Sequence, residues 1–230
     1  MIHESKPRQL SLELAHDVGR SRDHLVVSEA NAPAVRLIDC WPDWPSPVVV
    51  LAGPPGSGKS HLASIWCEVA RAQALSGGRI GQTLDHAAAF LVEDADQGGL
   101  DEEGLFHALN AIRASGGYML LTARRFPSTW GVRLPDLKSR LRAAPTVEIG
   151  EPDDLLLSGV IAKLFSDRQL EVEPHVILYI VRRIERSLAT AMSVVDKLDA
   201  AALEQNCRVT RALAASVIGV LDEGQAELPF

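Results

Sequence analysis

The chain has 230 residues, 47% of them hydrophobic and 23% charged, the makeup of an ordinary folded protein with room for a domain and an appendage. Its formal net charge of −7 argues against a broad surface for nucleic-acid phosphates, and three scattered cysteines without C-x-x-C spacing exclude a disulfide framework or a zinc site. No apolar run reaches the roughly 18 residues that cross a bilayer, and the N-terminus lacks the apolar centre of a secretory signal, so the expected setting is a reducing cytoplasm without membrane contact.

The first patterned stretch is QLSLEL, residues 9–14, where leucines alternate inside a tail that otherwise looks like exposed linker. Alternation suits an extended strand with one apolar face, and such a strand needs a partner. Residues 29–40 have helical spacing at Ala30, Ala34, Leu37 and Ile38, with Ser28 placed to cap the first turn and prolines beyond to stop it. PVVVLA (47–52) is a β-branched run that predicts a strand buried on both faces. Residues 61–75 read as one apolar helix, AAAFLVED (87–94) as a second strand, 100–115 as a helix stopped by Gly116 and Gly117, and YMLLTA (118–123) as a third strand. Strands alternating with helices imply a parallel sheet covered on both sides. After residue 150 only helices are predicted: one over 152–170 opening on Pro152 and two aspartates, one or two over 174–206, and a last one capped by Thr210. The expected organisation is an extended tail (1–22), an α/β domain (23–150) and a small helical domain (151–230).

Between the first strand and its helix lies Gly53-Pro54-Pro55-Gly56-Ser57-Gly58-Lys59-Ser60, a match to G-x-x-x-x-G-K-[ST] in the context that motif requires. Glycines let backbone N–H groups turn inward around phosphates at a helix N-terminus, Lys59 reaches the β/γ-phosphates, and Ser60 ligates Mg²⁺. Such a loop also needs an acid at the end of a neighbouring strand, and FLVEDAD offers Glu93, Asp94 and Asp96. His61 follows the loop directly and is counted with its nucleotide-contacting residues. His61, His86, His107 and His175 show no metal-ligand spacing.

This order of parts resembles the AAA+ ATPases: a P-loop, an acidic strand end, a polar strand end, an arginine before a junction and a helical lid. More narrowly, VVSEAN (26–31), EEGLFHALNAI (102–112) and LKSR (137–140) resemble segments of the bacterial replication initiator DnaA, and the likeness spans about residues 23–205. The resemblance implies an α/β, P-loop AAA+ parallel-sheet sandwich followed by a small helical lid domain. It implies ADP or ATP with Mg²⁺ as cofactors, Val26 and Val27 flanking the adenine, and Thr122 near the γ-phosphate at the sensor-1 position. It makes Arg140 an arginine finger acting on a neighbour's nucleotide, rather than a surface cation paired with Asp136, and Arg186 the sensor-2 arginine of the lid.

Three departures qualify it. Glu93-Asp94 stands where the family has an aspartate followed by an acid, so Glu93 becomes the expected magnesium ligand and intrinsic hydrolysis is expected to be slow. Residues 77–86 look like a shortened version of a strand and helix. No segment after the lid resembles the initiator's basic helix-turn-helix, which implies no direct sequence-specific DNA binding.

An initiator-like module of this kind, preceded by QLSLEL, resembles the Hda type of DnaA-related protein, which switches the initiator off at the loaded replicative sliding clamp. Many clamp-binding proteins dock through Q-L-x-L-x-[LF] peptides, and Gln9, Leu10, Leu12 and Leu14 fit that pattern. The implied partners are the sliding clamp (β-clamp), DnaA and, in a homo-oligomer, further copies of the chain. Two other readings stay open: a self-contained P-loop ATPase or small-molecule kinase, and an adaptor that only sequesters the initiator.

Overall fold

The computed structural model describes residues 22, 25–78, 80 and 88–226; QLSLEL and the final ELPF lie outside the described residues. Five strands, β1 (Val48–Ala52), β2 (Gln73–Leu75), β3 (Ala89–Val92), β4 (Tyr118–Ala123) and β5 (Thr146–Glu148), form one parallel sheet in the order β2-β3-β4-β1-β5. Side chains alternate across the sheet with period two, so neighbouring valines of β1 serve opposite faces. Val48 and Val50 join Phe90, Met119 and Leu121 beneath α3 (Glu102–Ser115) and α4 (Pro135–Ala143). Val49 and Leu51 join Leu91 and Leu120 beneath α1 (Ala32–Asp39) and α2 (Lys59–Ala70). Every residue of β1 is buried, and each fully buried valine or leucine stabilises the fold by about 1.5–3 kcal/mol.

The helices end where local chemistry dictates. Asp101 caps α3 by accepting from the Gly104 N–H at 2.8 Å, with Glu102 and Glu103 in the first turn, and Gly116 closes it in the left-handed conformation. The remaining four helices, α5 (Asp154–Asp167), α6 (Pro174–Val181), α7 (Leu188–Gln205) and α8 (Arg211–Ala226), pack around a separate apolar cluster that includes Leu157, Ile161, Ile180, Val194 and Leu198. Residues 174–206 therefore hold two helices, and Ser187 caps the second by accepting from the Thr190 N–H.

Two local expectations change. The helix after the P-loop ends at Ala70, and Gln73–Leu75 leaves it to pair with β3 as a sheet edge. Pairing with a buried neighbour strand overrides the helical preference of Gln, Ala and Leu. Ser28 does not cap α1, whose N-cap is Asn31, with Pro33 in the first turn. The Ser28 hydroxyl instead accepts from the Ala30 N–H at 3.2 Å.

Candidate functional site: a cleft between sheet and lid

The carboxyl ends of β1, β3 and β4 meet the first turn of α2 at one edge of the sheet, the usual ligand position in parallel α/β folds. The P-loop is stitched to that edge by the Gly53 N–H, which donates to the Ala123 carbonyl at 3.1 Å. Gly56 and Gly58 have φ of +72° and +98°, a left-handed backbone that other residues adopt only with strain. A Cβ on Gly56 would also lie 2.1 Å from the Ser187 hydroxyl. Lys59 opens α2 and is 7% exposed, with Nζ donating to the Gly53 and Pro54 carbonyls at 2.8 and 2.7 Å. Burial lowers its pKa; Asp94 and Asp96 act against that, and the charge of Arg124 adds to it. Ser57 is buried with no partner for its hydroxyl among the described residues, while Ser60 and His61 line the cleft. A left-handed glycine cradle, a buried ammonium and an orphan hydroxyl together suit a phosphate chain.

The acidic strand end is bound to β4 rather than loose. Thr122 is buried, and its hydroxyl accepts from the Asp94 N–H at 3.0 Å while its carbonyl accepts from the Ala95 N–H at 2.8 Å. Asp94 lines the cleft and Glu93 does not. Glu93 acts electrostatically on Cys67 of α2, whose thiol is pushed up to about 11 by burial and by that charge. The carboxylate that acts on Lys59 is therefore Asp94, which lies past the end of β3 in a left-handed backbone with φ of +50°. Asp96 accepts from the Arg124 N–H at 3.0 Å and pairs with Arg125 at 3.8 Å.

Opposite the P-loop stand the lid and residues 25–31, enclosing a cleft of about 580 Å³. Its far wall is apolar, with Val26, Leu156, Val160, Leu164 and Met192. Asn31 fixes Val26 in this wall: the buried amide takes the Ser28 N–H at 2.9 Å and donates to the Val26 carbonyl at 2.8 Å. A Cβ on Gly159 of α5 would come 2.8 Å from Val26 Cγ1, so glycine there lets helix and loop touch. Val27, expected beside Val26, is 51% exposed and turned out of the cleft. The lid meets the P-loop through the Leu188 N–H, which donates to the Gly56 carbonyl at 2.8 Å.

Arg186 is not among the cleft residues. It precedes the N-cap of α7, donates to the Pro152 carbonyl at 3.3 Å and pairs with Asp154 at 2.8 Å, while Leu188, Ala189 and Met192 face the cleft from that helix. The phase of α7 thus puts an alanine where a lid cation was expected. Sequence reasoning missed Arg124, Lys163 and Asp167, which all line the cleft. Only Arg124 left a signal, since it lies two residues beyond Thr122, just past the carboxyl end of β4.

Arg140 is not among the residues that line this cleft. It sits on α4 with its guanidinium 5.1 Å from the Phe106 ring centre, half-buried. The carboxylate of Glu102 accepts from the Arg133 and Leu134 N–H groups, the nearest at 2.8 Å, which ties the start of α4 to α3. The peptide Gln9–Leu14 lies outside the described residues. Among the described residues no helix is long and apolar enough to cross a membrane, and no group of histidine, cysteine and acidic side chains could by itself hold a metal ion.

Comparison with known proteins places this architecture. Residues 161–217 match the family model for the lid domain of Hda. An uncharacterized protein of Haemophilus influenzae is 26% identical over 185 residues, 73% of this chain and 80% of that protein. Domain III of the replication initiation protein DnaA from Thermotoga maritima aligns with a TM-score of 0.74 at 15% identity, covering 87% of this chain and 96% of that one. AMPPCP-bound DnaA from Aquifex aeolicus gives 0.66 at 19% identity over 77% of this chain and 64% of that chain. The Holliday junction branch migration motor RuvB of Thermotoga maritima gives 0.69 at 19%, over 88% and 72%. The chain thus carries a lid domain of the Hda kind over residues 161–217, on a parallel-sheet domain with the AAA+ fold of the DnaA and RuvB structures.

Proposed function

We propose that this chain is a nucleotide-holding regulator of the replication initiator. Docked on the replicative sliding clamp through Gln9, Leu10, Leu12 and Leu14, it presents Arg140 to ATP bound by DnaA and accelerates hydrolysis of that ATP, preventing over-initiation. The observation that carries this reading is the position of Arg140, half-exposed on α4 and not among the residues that line the chain's own cleft. A guanidinium is a rigid fork of donors suited to phosphate oxygens, and one supplied in trans to a phosphoryl transfer is worth roughly 10³–10⁵ in rate. Within its own cleft, Lys59 and the P-loop amides hold the nucleotide phosphates and the wall around Val26 holds the base. Ser60 and Asp94 hold Mg²⁺, whose contribution is to neutralise phosphate charge. We assign ADP as the ligand of the working state, in keeping with a lid helix that brings Ala189 rather than a cation to the cleft. The protein works in the cytoplasm, at the nucleoid through the clamp, without reading DNA itself.

The test is an omission experiment with initiator, labelled ATP, DNA-loaded clamp and this protein. Rapid release of labelled ADP is expected only when all four are present. Arg140→Ala should abolish stimulation while keeping clamp and nucleotide binding. Alanine at Gln9, Leu10, Leu12 and Leu14 should abolish clamp binding, and stimulation with it, while nucleotide binding is kept. Rapid turnover by the protein without the initiator would make it a self-contained ATPase, and binding without stimulation a sequestering adaptor.

A further inference from the structure

We propose that Arg124 is the cation that meets the outermost phosphate of a nucleoside triphosphate in this chain's own cleft, supplied by the sheet in place of a lid arginine. The inference rests on the reading of the cleft as a nucleotide site.

Four observations converge on it. Arg124 lines the cleft together with Lys59 and Asp94. Its charge is close enough to the Lys59 ammonium to work against that ion's protonated form. Its backbone is held in place, since the Arg124 N–H donates to Asp96 at 3.0 Å and the preceding residue, Ala123, accepts from the Gly53 N–H of the P-loop at 3.1 Å. Among the described residues, no carboxylate pairs with its guanidinium within 4.0 Å, whereas Arg125 next door takes Asp96. Two cations set near each other in one cleft repel unless an anion lies between them, and a phosphate chain is such an anion.

Position along the sheet decides which phosphate is met. Lys59 starts α2 and reaches back over the loop to Gly53 and Pro54. Arg124 follows the last residue of β4, Ala123, whose carbonyl holds the Gly53 N–H at the opposite end of the P-loop from Lys59. Helix α7 does not compete for this role, because Arg186 ahead of it is engaged by Asp154 and Pro152 and the helix faces the cleft with Leu188, Ala189 and Met192. One guanidinium just past a rigid strand end therefore lets the cleft distinguish triphosphate from diphosphate without a cation from α7.

Calorimetric titration of the full chain with AMPPCP and with ADP tests this. Arg124→Ala should weaken AMPPCP by about 10-fold or more and ADP by less than about 2-fold, and Arg124→Lys should recover part of the loss. Arg124→Gln keeps the stem length and serves if alanine disturbs the fold by circular dichroism. Equal losses for the two nucleotides, or none, would overturn the assignment. Loss of both nucleotides in Lys59→Ala with Arg124→Ala and Arg124→Gln unchanged would overturn it while sparing the P-loop reading. Binding indifferent to Lys59→Ala would overturn both.

Discussion

The two walls of the cleft do different physical work. The core wall carries Lys59, Asp94 and Arg124 on strand ends and on a helix start that are cross-linked by main-chain and side-chain hydrogen bonds. The lid wall offers mainly apolar surface from Leu156, Val160, Leu164 and Met192. Anions need donors held at fixed positions, because charge-assisted hydrogen bonds depend on distance and direction, and a buried parallel sheet supplies that rigidity. A purine ring needs apolar area, which is non-directional and tolerates a wall that moves. Charge recognition therefore sits on the rigid domain and shape recognition on the lid.

This division is most exposed to failure at Lys59. Lys59→Ala should weaken ADP by about 100-fold or more in a calorimeter, on the order of 3 kcal/mol, with an unchanged circular dichroism spectrum. Unchanged affinity would deny the core wall its role.

Gly159→Ala separates the walls from the other side. Alanine favours a helix interior by up to about 1 kcal/mol, so the melting temperature should hold or rise. The added Cβ nevertheless meets the stiff Val26 side chain at 2.8 Å and must push the base-side loop away. ADP affinity should fall about 5-fold while pyrophosphate affinity stays constant; a parallel fall in both would mean that the lid wall also shapes the phosphate end.

Asp153 sits at the joint between the walls. Burial by itself raises its carboxyl, but donation from the Leu156 N–H, from Ser28 and from the Ala30 and Leu155 N–H groups outweighs that and holds it below its ordinary value. A lowered folded-state value stabilises the fold above the unfolded carboxyl's pKa of about 3.9 and loses that contribution as pH falls through the folded value. Asp153→Asn keeps a capping oxygen but loses the charge, so it should lower stability at pH 7 by less than about 1 kcal/mol, read from denaturant melts, and the gap from wild type should narrow towards pH 3.

The smallest effect is expected at Arg186. Its ion pair joins side chains that are 53% and 65% exposed, so Arg186→Ala should change stability by no more than about 0.5 kcal/mol. ADP affinity should stay within about 2-fold. A 10-fold loss would return a phosphate contact to the lid wall.

What could be read from the chain alone was what short stretches decide locally. Residues 47–60 announce a buried strand, a glycine cradle and a helix start, because β-branched runs, left-handed turns and a basic first turn each need particular residue types in immediate succession. Thr210 announced its helix for the same reason, since a cap acts on N–H groups within three residues. Tertiary structure decided wherever a residue's role depends on which way it faces a distant partner. Gln73–Leu75 became a strand only because β3 lay beside it. Asp94 rather than Glu93 came to line the cleft where the chain turns left-handed past β3 and its N–H is held by Thr122, and Ala189 rather than Arg186 because of where Ser187 caps α7. Arg124 acquired its setting from the bonds that tie β4 to the P-loop and to Asp96. Composition and motif select the chemistry a chain can offer, but register and helix phase, set by packing across the whole sheet and lid, select which side chain delivers it.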